Sequence, residues 1–139
     1  MEVDLTALAD SANVSQEGKL NLLGIFDTIP ARGFPALHPT MSFAFRLLAE
    51  SEDQGKKLKL EVSLIDQDSQ PLWSGSAEIS VGSIPAGQFL HVNQIVALQA
   101  VRFVKPGRYR FRIRIEGRDE PVDTVFQVAQ RPTADAGSR

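Results

Sequence analysis

The chain has 139 residues, with 15 Lys plus Arg against 17 Asp plus Glu and a formal net charge of -2; that length suits one domain with a real core. It contains no Cys, which excludes disulfides, thiolate metal sites and a Cys nucleophile. Charge near balance gives no global pull toward nucleic acid, no apolar run approaches the ~18 residues of a membrane span, and Met1-Glu2-Val3-Asp4 lacks the basic and apolar regions of a secretory signal.

The expectation is therefore a soluble, cytoplasmic protein with neither nucleic acid nor membrane as a partner. One domain over residues 1–129 is followed by a small, polar, unpatterned tail over 130–139.

In chain order, Val3 to Leu8 reads as a first strand and Asp10 to Gly18 as a polar connection. Lys19 to Ile29 reads as a second strand, in which Gly24 marks a bulge or a close backbone approach. The triplet Asn13-Val14-Ser15 matches a glycosylation acceptor, but without a secretory signal it reads as turn residues. No phosphate-loop glycine pattern is present. Thr28 to Thr40, with Pro30, Gly33, Pro35 and Pro39, reads as a long irregular connection.

Strand-like alternation follows. Met41, Phe43, Phe45 and Leu47 occupy every second position; so do Leu58, Leu60, Val62 and Leu64. Trp73, Gly75, Ala77, Ile79 and Val81 repeat the pattern, as do Tyr109, Phe111, Ile113 and Ile115, and then Val122, Thr124, Phe126 and Val128. A period of two is that of strands with one wet face. Turn chemistry separates them: Asp66-Gln67-Asp68-Ser69-Gln70-Pro71, Pro106-Gly107 and Glu116-Gly117-Arg118-Asp119. About eight strands in this pattern predict an all-β fold of two packed antiparallel sheets. The expected core comprises Leu22, Phe26, Phe43, Phe45, Leu60, Val62, Trp73, Ile79, Phe111, Ile113 and Phe126.

Two runs carry a resemblance. Ala12-Asn13-Val14-Ser15, Glu17-Gly18-Lys19-Leu20-Asn21 and Leu23-Gly24-Ile25-Phe26-Asp27 resemble the opening of an uncharacterised bacterial family of small domains. Phe103 to Phe111 resembles the F-x-x-P-G-x-Y-x-F run of many immunoglobulin-like sandwiches. Together they span the chain to Val128 and imply an immunoglobulin-like antiparallel β-sandwich. They imply no activity. Tyr109, just after Pro106-Gly107, is placed to form a corner, its hydroxyl returning to nearby backbone.

Residues for catalysis are sparse. Neither His38 nor His91 sits in a metal or nucleophile motif, so both read as isolated. Asp66-Gln67-Asp68 has too few acidic neighbours for a calcium loop and reads as a turn. Asp119, Glu120 and Asp123 read as a solvated cluster. Trp73 shares parity with Ala77 and Ile79, so it reads as core rather than as an exposed sugar platform. No catalytic, cofactor or metal-binding residue is singled out, and the chain reads as no enzyme.

The most pointed feature is Arg108, Arg110, Arg112 and Arg114, on one face of one strand and spaced ~6.6 Å apart. Either these pair within the sheet with Glu61, Glu78 or Asp123, or they offer a surface to an anion or an acidic partner. Pairing is the favoured reading. The function expected first is a noncatalytic interaction module, using a sheet face or edge for a protein partner or homodimer. The alternatives are a ligand or carbohydrate site at the loop end, near Phe34 and His38, and an unrecognised hydrolase built on the histidines.

Overall fold

The structure is a computed structural model and describes residues 1–131. Nine strands form two sheets: β1 (Glu2–Val14), β2 (Leu20–Ile25), β3 (Thr28–Ala31), β4 (Ala36–Glu50), β5 (Lys57–Asp66), β6 (Pro71–Ser80), β7 (Phe89–Phe103), β8 (Gly107–Ile115) and β9 (Val122–Gln130). One sheet has the order β2-β1-β4-β7 and the other β3-β9-β8-β5-β6. The alternating apolar positions of β4, β5, β8 and β9 meet between the sheets, where Phe43, Phe45, Leu47, Leu64, Phe111, Ile113 and Val128 are almost wholly buried.

The strand order is that of an immunoglobulin-like sandwich: β1, β4 and β7 correspond to strands A, B and E, and β9, β8 and β5 to G, F and C. The Tyr109 hydroxyl donates to the Lys105 carbonyl, closing the expected corner at the start of β8. In antibody domains the residue two positions beyond that tyrosine is a half-cystine bonded to strand B. Here it is Phe111, stacked on Phe43 of β4.

The fold departs from the expectations in several places. The count of nine strands agrees with the expected number of about eight, but the sheets are not purely antiparallel, because β3 pairs in parallel with β9. The stretch read as one strand from Lys19 to Ile29 breaks at Phe26 and Asp27 and changes sheets. The segment Thr28 to Thr40 is mostly strand; only residues 32–35 connect β3 to β4. Pro30 is tolerated because β3 is an edge strand with one unpaired side. Pro39 meets Ala100 at an irregular point of the β4–β7 ladder, where Ala100 has φ 55°. Strand β7, whose residues are half-buried on both faces, gives no clean alternation and was not expected. Of the expected core, Leu22, Phe26 and Trp73 are only half-buried. Gln130 closes β9, and the Arg131 N–H donates to the Ala31 carbonyl at 2.7 Å; the rest of the expected tail, 132–139, lies outside the described residues.

Strand β1 outruns the expected Leu8. It pairs with β4 as far as Ala9, then continues with β2 to Val14, so the polar stretch Asp10 to Gly18 is half strand. The change of partner falls at Asp10 and Gly24. Gly24 has φ +72°, and a Cβ there would lie 2.5 Å from Asp10 Oδ2, which is the close approach expected of this glycine. The hairpin tip turns back over the outer face of the four-stranded sheet. Asn93 Nδ2 of β7 donates to the Gly18 carbonyl at 3.1 Å, although β4 separates β7 from β1 within the sheet. Ala9 and Ala44, on the face turned away from the sandwich core, are 0% exposed.

Candidate functional site

The arginine stripe lies on the outer face of the five-stranded sheet, because Tyr109, Phe111, Ile113 and Ile115 take the alternate, buried positions of β8. Asp123 of β9 sits opposite Arg112 in the ladder and binds it through both oxygens, with Nε to Oδ1 at 2.8 Å and Nη2 to Oδ2 at 2.9 Å. Arg110 Nη1 adds a third contact to Oδ2 at 3.2 Å. The Arg112 hydrogen bonds, reinforced by Arg110, hold the Asp123 carboxyl below the usual carboxylate range against its partial burial; the same pairing raises Arg112. Glu61 faces Arg114 in the β5–β8 register, yet among the described residues neither Arg108 nor Arg114 makes an ion pair. The middle of the stripe is thus paired within the sheet, two guanidiniums sharing one carboxylate, and its two ends are not.

The open side of the sandwich is different in kind. Strand β6 ends one sheet and β7 ends the other. Between them runs a cleft of about 260 Å³, lined by Phe45, Leu60, Val62, Trp73, Ile95 and Val96 among others. The strand β6 presents Trp73, Gly75, Ala77 and Ile79 toward the interior, but Gly75 and Ala77 are too small to reach across. The Trp73 ring folds along its own strand over Gly75, where a Cβ would meet it at 2.9 Å. Ala77 is consequently exposed despite its inward parity. Small residues at alternate positions of β6 were the signal in the sequence; their consequence needed the knowledge that β6 is an edge.

The two histidines do not meet. His38 and His91 pair with Val101 and Leu48 in the β4–β7 ladder, and the ten ladder steps from His38 to Leu48 span on the order of 30 Å. Burial pushes the His38 imidazole below its usual range, with the Asp10 carboxylate and the Thr40 backbone opposing. The ring packs on Phe26, and Nε2 is buried without a partner beside a recess lined by Arg32, Gly33 and Phe103. Phe34 packs against the core rather than opening the recess. His91 lies on the outer face of the same four-stranded sheet, where Nε2 is 2.8 Å from Asp4 Oδ2 and Arg46 Nε is 3.3 Å from Asp4 Oδ1. Burial works against ionisation of Asp4, but the bonds from His91 and Arg46 prevail and lower it.

The acidic motifs are structural. Asp66 Oδ1 accepts from the N–H groups of Asp68 and Gln70, both at 2.9 Å, an Asx turn closing the β5–β6 hairpin. Among the described residues no group of three or more His, Asp or Glu is arranged to hold a metal ion.

A model of a family of unknown function, DUF6941, matches residues 4–129. The chain belongs to this family. No curated protein matches the sequence. Among solved structures, a glycosyl hydrolase family 2 member from Bacteroides cellulosilyticus is similar over 68% of this chain and 14% of its own, with 11% identity and a TM-score of 0.43. The alkylpurine DNA glycosylase AlkC from Pseudomonas fluorescens, bound to DNA containing an abasic site analog, is similar over 88% of this chain and 30% of its own, with 13% identity and a TM-score of 0.42. The chain therefore spans less than a third of either structure.

Proposed function

We propose that the domain is a noncatalytic interaction module that binds an extended protein segment along β6. The observation carrying this reading is the open side of the sandwich: a ten-residue edge strand beside an apolar cleft. Strand addition uses main-chain groups for affinity and pockets beneath alternate side chains for specificity. The cleft would take one apolar side chain of the added strand, and the serines at 74, 76 and 80 leave the outer face of β6 free of bulk. The scatter of the histidines and the internal pairing of the arginine stripe give a catalytic reading no comparable support.

Selection of linear peptides on the immobilised domain tests this, with the footprint read by amide hydrogen exchange. The expected result is protection concentrated on β6, together with a blue shift in the emission of Trp73, the one tryptophan. Peptides that protect only the loop end near His38 would replace this reading with a ligand site there, which the unpartnered His38 Nε2 and its recess support.

A further inference from the structure

Resting on the strand-addition reading, we infer that the segment added to β6 is β6 of a second copy of this chain. The two strands run antiparallel about a two-fold axis at Gly75 and join the two five-stranded sheets edge to edge.

An isologous contact requires a patch that complements itself. In a continuous sheet, directly opposed residues share a face. An axis at Gly75 therefore sets Trp73 opposite Ala77 of the second copy, and Ala77 opposite its Trp73. The largest inward side chain of β6 meets an exposed alanine at the mouth of the cleft, twice, by symmetry. An axis at Ser76 would instead oppose Trp73 to Ile79 and Gly75 to Ala77, bulk against bulk and gap against gap. On the outer face, the axis at Gly75 opposes Ser74 to Ser76. The one charge on the strand, Glu78, stands six residues along from its counterpart, ~20 Å away and beyond the screening length at physiological salt.

The edge also lacks the usual defences. Protected edges carry inward charges, lysines or a central proline, or are covered. Strand β6 has its only proline at its first residue, and its centre is Ser74-Gly75-Ser76-Ala77. Strand β3, by contrast, is four residues long and contains Pro30, so it is poorly suited to accept a strand.

The test is sedimentation of the full chain, with Trp73 emission followed on dilution. Wild type is expected at twice the monomer mass, its emission shifting to the red as it dissociates. A Ser74→Glu/Ser76→Glu variant places like charges in both opposed pairs and is expected to be monomeric with an unchanged circular dichroism spectrum. A Ser74→Lys/Ser76→Lys variant is expected to behave the same way, and an equimolar mixture of the two to recover the dimer. Ala77→Phe, which occupies the position of the incoming indole, serves if a charged variant does not fold; it too is expected to be monomeric. A wild type monomeric at every concentration, or a dimer that survives the charged or Ala77→Phe variants, overturns self-pairing. Loss in both charged variants without recovery in the mixture overturns the axis at Gly75. A monomeric wild type that still binds peptide along β6 removes the second copy while leaving strand addition standing.

Discussion

Phe43 of β4 and Phe111 of β8 lie face to face across the two sheets, their ring centroids 4.4 Å apart and their planes 6° from parallel. In a chain with no cysteine, this pair stands where antibody domains carry their inter-sheet disulfide. Both rings are 0% exposed, and Phe111 also lies near Phe126, with centroids 5.8 Å apart. Dispersion and burial do here what a covalent link does there.

Truncation at this point is expected to be severe. Phe111→Ala should cost roughly 3–5 kcal/mol, combining lost transfer energy with a cavity that the surrounding sheets cannot close. Phe111→Leu should cost much less. Urea unfolding of both variants checks this, and a loss below about 1 kcal/mol for the alanine variant would show that the pair does not anchor the sheets.

The corner at Tyr109 makes a smaller, separable contribution. Tyr109→Phe keeps the ring contacts with Phe103 and Phe126 and removes the bond to the Lys105 carbonyl, so a loss of about 1–2 kcal/mol is expected. Burial raises the Tyr109 phenol above its usual range, and donation to the Lys105 carbonyl, which only the neutral phenol can make, acts in the same direction. A raised folded value means stability fully present below the unfolded value near 10 and lost as pH rises through the folded value. Because Tyr109 is the one tyrosine, absorbance titration reads it directly; ionisation at the free-phenol pH would contradict the corner.

Acid should unfold the protein through a few named carboxylates. Backbone hydrogen bonding from Glu50 holds Asp53 low against burial, helped by the Met1 amino group at 3.0 Å. Arg112 and Arg110 do the same for Asp123. For groups lowered in the folded state, the stabilisation is present above the unfolded value near 3.8 and disappears as pH falls through the lower folded value. Stability is therefore expected to hold down to about pH 4 and fall below it, with Asp53→Asn and Asp123→Asn each flattening that acid limb in denaturation series.

The arginine stripe should be uneven in its response. Arg114→Gln, at a site with no ion pair among the described residues, is expected to change stability by no more than about 0.5 kcal/mol. Arg112→Glu puts a carboxylate against Asp123 and should cost roughly 1–2 kcal/mol, more than an ordinary exposed pair contributes, since it replaces a bidentate contact by repulsion. Equal effects at the two sites would mean that the Asp123 clamp is energetically idle.

Gly24 should resist substitution twice over. Gly24→Ala is expected to cost about 1–3 kcal/mol from the left-handed backbone alone, and the added Cβ also collides with Asp10. The double variant with Asp10→Ala should recover the steric part and leave the backbone part. Hydrogen exchange of the β1–β2 hairpin amides reports whether the tip still seats on Asn93.

The period of two in β4, β5, β8 and β9 was legible because each of those strands buries one full face, so solvent enforces alternation residue by residue. The corner was legible too, since Pro106, Gly107 and Tyr109 act over a few residues. Position within a sheet was not. Trp73 has the parity of a core residue, and only the placement of β6 at an edge leaves it half-buried above a cleft. Strand β7 hid because its flanking positions are half-covered on both faces, which removes the alternation. The hairpin carrying Asp10, Gly24 and Leu22 reads locally as two strands and a turn. Its tip is tied to Asn93, some seventy residues away in sequence, whose bond to the Gly18 carbonyl forms only once the sheets have assembled. Local sequence determined strand identity and turn chemistry, which depend on each residue's own contact with water and on short-range backbone sterics. Tertiary structure alone decided which edges stay open, which arginines find Asp123, and which apolar surface is left uncovered, because each of these depends on partners the local sequence does not contain.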